Sequence, residues 1–267
     1  MPGKYCFRYV AGNLKGISHM SNYALIRPWG HTVKRLAIIR FIRGLFFDGS
    51  TVKKAEPLVW SFISAHVKNG WRCVDVGANR GEFSCLMAKQ AGRLGCVYAF
   101  ELHPDNVKLL RSNLWRYRHR VKIENLAVSD GKTELVEVFA GCHASGAEWN
   151  IVGHNTGPHA NQAEFSVKAT SLDHYFQPNE KIDLIKIDVE GAAGQVLAGM
   201  TRTLRESRPL IVLEVHDDIE WVGRSYLEAA DYMLCDLRGE NLVRTPNFIF
   251  HCIAVPKERR AQSFLFR

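Results

Sequence analysis

The chain has 267 residues, 46% hydrophobic and 23% charged, which is ample for a sizeable core and excludes wholesale disorder, collagen-like repeats and multi-span membrane architecture. Lys and Arg number 35 against 27 Asp and Glu, a net charge of +8. Ten of those bases and two of those acids lie within residues 1–60, so the remainder carries 25 of each and presents no body-wide basic surface for nucleic acid.

Residues 1–60 read as a basic, mainly helical extension, and residues 61–267 as the domain proper. The first twenty residues lack the continuous apolar core of a signal peptide, and no run reaches the roughly 18 apolar residues needed to cross a bilayer. Residues 36–47 come partway, interleaving Ile38, Ile39, Phe41, Ile42 and Leu45 with Arg35, Arg40 and Arg43. Two placements stay open: a helix packed on the domain with its arginines in water, or peripheral contact of residues 34–47 with a membrane interface at the inner surface. Seven cysteines are scattered without a Cys-x-x-Cys pair, which points to a reducing cytoplasm and to neither a disulfide framework nor a zinc knuckle.

From residue 71 onward, short β-rich runs alternate with helical stretches. Residues 71–76 read as a strand, 77–81 as a glycine turn and 82–91 as a helix. A second strand, 95–100, ends at Glu101, and Pro104 opens a helix to about residue 115, proline being tolerated at the first helical position. Strands follow at 121–128, 133–139 and 164–170, the last two flanking an unpatterned stretch, 141–162. Residues 182–187 form a strand that leads through 188–191 into a helix at 192–204, and 209–215 form another strand. The final strands, 232–237 and 248–255, are joined too closely for a crossover helix and should be antiparallel. The alternation predicts an α/β, doubly wound sheet.

The strongest chemical signal is Val74-Asp75-Val76-Gly77-Ala78-Asn79-Arg80-Gly81 at a strand-to-helix turn, followed twenty residues later by Glu101. Glycine permits a tight turn and close backbone approach, and a carboxylate at the next strand end can accept both ribose hydroxyls of a nucleoside. The spacing is Gly-x-x-x-Gly and not the Gly-x-Gly-x-x-Gly of a pyrophosphate cradle, which disfavours a nicotinamide dinucleotide and fits S-adenosylmethionine. His143, His154 and His159 fall in the loop 141–162, but their irregular spacing indicates no metal, and a loop covering the acceptor is the simpler expectation.

In order along the chain, Val74–Gly81, Phe100-Glu101-Leu-His-Pro104, Asn125-Leu-Ala127-Val-Ser-Asp130, Ser171-Leu-Asp173, Asp183-Leu-Ile-Lys186-Ile-Asp188-Val-Glu190-Gly191 and Leu213-Glu214-Val-His216 resemble the FkbM-type methyltransferases. The likeness spans about residues 60–255. It implies a class I, S-adenosylmethionine-dependent enzyme on a seven-stranded Rossmann-like sheet whose last strand is antiparallel, with O-methylation of a sugar, glycolipid-precursor or polyketide-like hydroxyl. By position it assigns Asp75, Gly77, Asn79 and Gly81 to the methionine part of the cofactor, Glu101 to the ribose, and Leu102, Ala127 and Val128 to the adenine. Asp188 falls at a strand end, where ligands of such sheets collect. In two places the pattern differs: Leu102 replaces a proline, and Ala193 stands where the family carries Glu.

Methyl transfer from a sulfonium needs in-line geometry first and a proton acceptor second. Asp188, Glu190 and His216 are the candidates, each with an alternative: Asp188 as a ligand of the cofactor amine, Glu190 as an acid at a helix N-terminus, His216 as a satisfied polar strand end. The alternative functions are an RNA methyltransferase anchored by the basic extension and a non-catalytic cofactor-binding protein. The first lacks an Asn-Pro-Pro-Tyr-like tetrapeptide at the fourth strand end, so the expected partner is a small molecule or glycan and not nucleic acid.

Overall fold

A computed structural model describes residues 47–142, 148–152, 165–189, 191–215, 221–238 and 250–262. Its centre is a seven-stranded sheet built from β1 (Arg72–Val76), β2 (Cys96–Phe100), β3 (Val121–Glu124), β8 (Leu184–Ile187), β9 (Leu210–Val215), β10 (Tyr232–Asp236) and β11 (Phe250–Pro256), in the order β10-β11-β9-β8-β1-β2-β3. All neighbours are parallel except β11, which runs antiparallel to both β9 and β10. The sheet is therefore doubly wound with an antiparallel last strand, as the alternation predicted.

The two faces follow from side-chain alternation. Val74, Val76, Ile185, Ile187, Ile211 and Leu213 point into one apolar layer, with the helices α6 (Ala193–Ala198), α7 (Thr201–Glu206) and α8 (Arg224–Ala229). Cys73, Val97, Leu184, Leu210, Val212 and Ile253 point into the other. That layer is covered by α2 (Pro57–His66), α3 (Glu82–Gln90) and α4 (Pro104–Asn113) through Val59, Ile63, Phe83, Met87 and Leu110. The short helix α1 (Ser50–Ala55) precedes α2 and meets it at Glu56. Residues 47–60 thus lie against the sheet: Phe47 and Val52 join the second layer and Cys85 contacts the Phe47 carbonyl at 3.6 Å. Residues 1–46, including nearly all of the apolar, arginine-interrupted stretch, lie outside the described residues.

A second sheet, in the order β4-β7-β5-β6, comprises β4 (Ala127–Val128), β5 (Leu135–Cys142), β6 (Glu148–Val152) and β7 (Phe165–Thr170). Three expectations change here. The strand read at 121–128 is two strands in two sheets, because the Asn125 amide turns aside to donate to the carbonyls of Glu101 and Leu102 at 3.0 and 2.8 Å. The stretch 141–162 is not all loop, since β6 pairs antiparallel with β5 from Val138↔Val152 to Cys142↔Glu148. The helix read at 192–204 is broken between α6 and α7 at Gly199-Met200. There a Cβ on Gly199 would stand 2.1 Å from the Ser129 carbonyl oxygen, so the backbones touch where a continuous helix would need room. Between β7 and β8 lies only the short helix α5 (Leu172–Tyr175).

Candidate active site

The chain runs β1, β2, β3 to one side of the sheet, then crosses to β8 on the other side of β1. Strand order reverses between β1 and β8, and crevices at the carboxyl ends of such strands are where doubly wound sheets bind ligands. The turn 77–81 lies on one lip and Asp188 on the other, joined by the Asp188 amide, which donates to the Val76 carbonyl at 3.1 Å.

The turn is tightly self-satisfied. The amides of Gly77 and Ala78 both donate to the Phe100 carbonyl at 3.0 and 2.9 Å, that of Gly81 donates to Ala78 at 2.8 Å, and that of Asn79 donates to Glu101 Oε2 at 2.8 Å. Four of the five turn amides are thus committed within the chain, which leaves no nest of free N–H groups for a diphosphate. Gly77 has φ +80°, and a Cβ there would stand 1.9 Å from the Asp188 carbonyl oxygen. Gly77 is therefore what lets the two lips approach.

Glu101 closes β2 and is buried. Its Oε1 accepts from the His103 amide at 2.8 Å and the Asn106 side chain at 3.4 Å, while Oε2 accepts the Asn79 amide. Burial pushes its carboxyl up, against the pull of those donors. Two backbone donors fix the group rigidly, and Oε2 retains acceptor capacity beyond the Asn79 amide. His103 also caps α4, its Nδ1 accepting from Asp105 at 3.2 Å. Beyond it, Leu102 and Ala127 meet in one small apolar cluster with Val138 and Val167. Val128 instead belongs to the main core, so the three positions assigned to the adenine are not all brought together.

Asp75 is fully buried on the α3 side of β1, accepting from Ser84 Oγ at 2.6 Å, while its Oδ1 has no hydrogen-bond partner. Opposite it in register stands Lys186 of β8, whose side chain is 2% exposed and whose ammonium lies 2.6 Å from Asp188 Oδ2 and 4.7 Å from the Phe83 ring centre. Burial would raise the Asp188 carboxyl, but Lys186 and a hydrogen bond from Glu214 overcome it and hold the group well below the usual carboxylate range. Glu214 moves the opposite way, pushed up to about 10 by burial and by sharing a proton with Asp188. Burial and their mutual hydrogen bond thus drive the two carboxyls apart, Asp188 toward the ionised form and Glu214 toward the protonated form.

Glu190 and His216, the other two proton-acceptor candidates, lie outside the described residues, as do His143, His154 and His159. Ala193 is fully buried in the apolar layer beside Val196 and Leu197. Among the described residues no cluster of His, Cys, Asp and Glu could hold a metal ion. Lys186 and Glu214 fall within the motifs quoted above but carry no role there, and His251 and Ser84 fall outside them. Three of them carried a visible signal: a single ionisable residue inside the otherwise apolar runs Leu-Ile-Lys-Ile, Leu-Ile-Val-Leu-Glu-Val and Phe-His-Cys-Ile-Ala-Val.

The Methyltransferase FkbM domain family matches residues 75–241. Hexuronic acid methyltransferase AglP of Haloferax volcanii is 27% identical over 148 residues, covering 55% of this chain and 56% of that protein. The AMB antimetabolite synthetase AmbE of Pseudomonas aeruginosa is 28% identical over 177 residues, 54% of this chain but 8% of its own length. The chain therefore spans little over half of one curated relative and a small part of the other. A solved structure of methyltransferase FkbM from Methylobacillus flagellatus KT is similar with a TM-score of 0.48 at 15% identity, covering 85% of this chain and 60% of that one. The family match takes in the turn, Glu101, Lys186, Asp188 and Glu214, and by it the chain belongs to the FkbM methyltransferases, S-adenosylmethionine-dependent proteins of the Rossmann-like class.

Proposed function

We propose that the protein transfers a methyl group from S-adenosylmethionine to a hydroxyl oxygen of a sugar, glycolipid-precursor or polyketide-like acceptor. The observation that carries this reading is the Glu101 carboxylate, clamped by the Asn79 and His103 amides at the end of β2 with acceptor capacity to spare. A buried, pre-oriented acceptor of this kind suits the paired hydroxyls of a ribose, and the committed amides of the turn suit a nucleoside without a diphosphate. The hexuronic acid specificity of AglP supports a saccharide acceptor.

S-adenosylmethionine supplies an electrophilic methyl group when bound. Glu101 would hold its ribose, Leu102 and Ala127 would lie by the adenine, and the turn carrying Gly77, Asn79 and Gly81 would face the methionine portion. Asp188 serves as a fixed anion beside that portion. A carboxylate held so far below neutral pH is a weak proton acceptor, because general bases work best with a pKa near the operating pH. The proton of the acceptor hydroxyl therefore passes to another group at the strand ends, and Glu190 and His216 are the residues assigned to it.

The test has two parts. Isothermal titration should show S-adenosylhomocysteine binding that Glu101→Gln weakens by about ten- to a hundredfold, the loss expected when hydrogen bonds to a charged group go. NADH binding more tightly than S-adenosylhomocysteine would overturn the cofactor assignment. Labelled methyl transferred into fractionated extract should then enter glycan or glycolipid. Label in RNA would replace the acceptor class, and cofactor binding with no transfer would make the protein a non-catalytic binder.

A further inference from the structure

Behind Asp188, on the face covered by α2 and α3, the ionisable groups continue in a row across four elements. Asp188 and Glu214 of β9 are hydrogen-bonded to each other through their side chains. Glu214 is paired directly with His251 across the β9–β11 ladder, and His251 Nε2 lies 3.7 Å from Glu214 Oε2. The same nitrogen is 3.1 Å from Glu56 Oε2, at the junction of α1 and α2. His251 Nε2 and Glu56 Oε2 are both buried and neither makes a hydrogen bond, so the charge contact between them is what compensates each.

Glu56 has an obvious local task that it does not perform. It occupies the N-cap position of α2, followed by Pro57, yet its carboxylate accepts nothing from the amides of that helix. It turns inward to His251 instead. Its side chain is 25% exposed, yet the oxygen that faces His251 is buried. The row's other end is the ion pair of buried Lys186 with Asp188, just past the carboxyl end of β8. Glu56 and His251 also both lie outside the segment matched by the family, residues 75–241, one on each side of it.

We infer that Glu56 and His251 are positioning residues for Asp188, so that the helix pair ahead of the family domain is a working part of the cofactor site. Glu56 orients the His251 ring, His251 confronts the outer oxygen of Glu214, and Glu214 is left to turn its proton toward Asp188. Asp188 then presents a fixed, singly charged carboxylate to the methionine end of the cofactor. The inference rests on the reading of Asp188 as facing that cofactor.

The test is a mutant cycle on the full chain, read as S-adenosylhomocysteine affinity by titration calorimetry, with the melting temperature of each variant recorded. Glu56→Gln should weaken binding about fivefold, the lower end of ordinary coupling between sites. In an Asp188→Asn background the same change should cost less than about twofold, because residues acting through one group are not additive. Val59→Ala, which trims the packing of α2 alone, should lower the melting temperature and leave the affinity unchanged. Should Glu56→Gln fail to fold, His251→Gln enters the same cycle with the same expectation. Equal losses in both backgrounds, or no loss in the wild-type background, would overturn the inference while leaving the methyltransferase reading intact. A wild-type chain that does not bind S-adenosylhomocysteine would overturn both.

Discussion

Glu214→Gln offers a direct measure of the shared proton. In the folded chain burial and the Asp188 carboxylate push Glu214 up to about 10, against 4.5 for the free side chain. Between those values the folded state keeps a proton that the unfolded state has released. Stability conferred by this group is full below pH 4.5 and falls as pH rises toward 10, with a limiting slope of about 1.4 kcal/mol per pH unit. Asp188 adds nothing to the slope in this window, because its lowered pKa leaves it ionised in both states. Its side chain is 26% exposed, so solvent screens part of the pairing and half the limiting slope is a reasonable lower bound. Between pH 6 and 9 the wild type should therefore lose about 2–4 kcal/mol relative to a variant whose amide cannot ionise but can still donate to Asp188. For a chain of this size that is roughly 5–12 °C in melting temperature. The assay is thermal unfolding of both proteins at pH 6, 7, 8 and 9, followed by circular dichroism. The variant should already melt somewhat above the wild type at pH 6, and the gap should widen as pH rises. A constant difference across the series would show that Glu214 holds no extra proton, and the account of the Asp188 pair would fall.

Three further outcomes follow from the same geometry. Gly77→Ala places a Cβ 1.9 Å from the Asp188 carbonyl oxygen at φ +80°, and should cost at least about 2 kcal/mol in urea unfolding. Lys186→Met strips the buried Asp75 and the partly exposed Asp188 of their cation and should destabilise by about 3–5 kcal/mol, with loss of folded protein at 37 °C an acceptable equivalent reading. Ser84→Ala removes the donor to Asp75, whose other oxygen is already without a partner, and should cost about 1–3 kcal/mol. Since burial already raises Asp75, that loss should be larger at pH 8 than at pH 5.

Short-range interactions leave a pattern in the sequence, and long-range ones do not. Period-two and helical patterning, proline at a helix start and a short antiparallel connection are local, and they were enough for the doubly wound sheet, its antiparallel last strand and the Gly77–Gly81 turn facing Glu101. Where the chain was misread, a distant partner decided the outcome. Asn125 ends β3 because it bonds the backbone at Glu101 and Leu102, and Gly199 breaks a helix because Ser129 lies against it.

The same division runs through the site. Residue type and spacing alone showed a carboxylate, Glu101, at the strand end that follows a glycine turn, and Gly-x-x-x-Gly in place of Gly-x-Gly-x-x-Gly spacing in that turn. Which charges surround Asp188 is visible only in the tertiary structure, and a carboxylate's proton affinity depends on the charges around it. Lys186 sits two residues away in sequence, but Glu214, His251 and Glu56 reach the row only through strand register and the inward turn of the α1–α2 junction. A single Lys, Glu or His in an apolar strand marks a position as costly. Only the sheet that lines the three up shows which charges compensate one another.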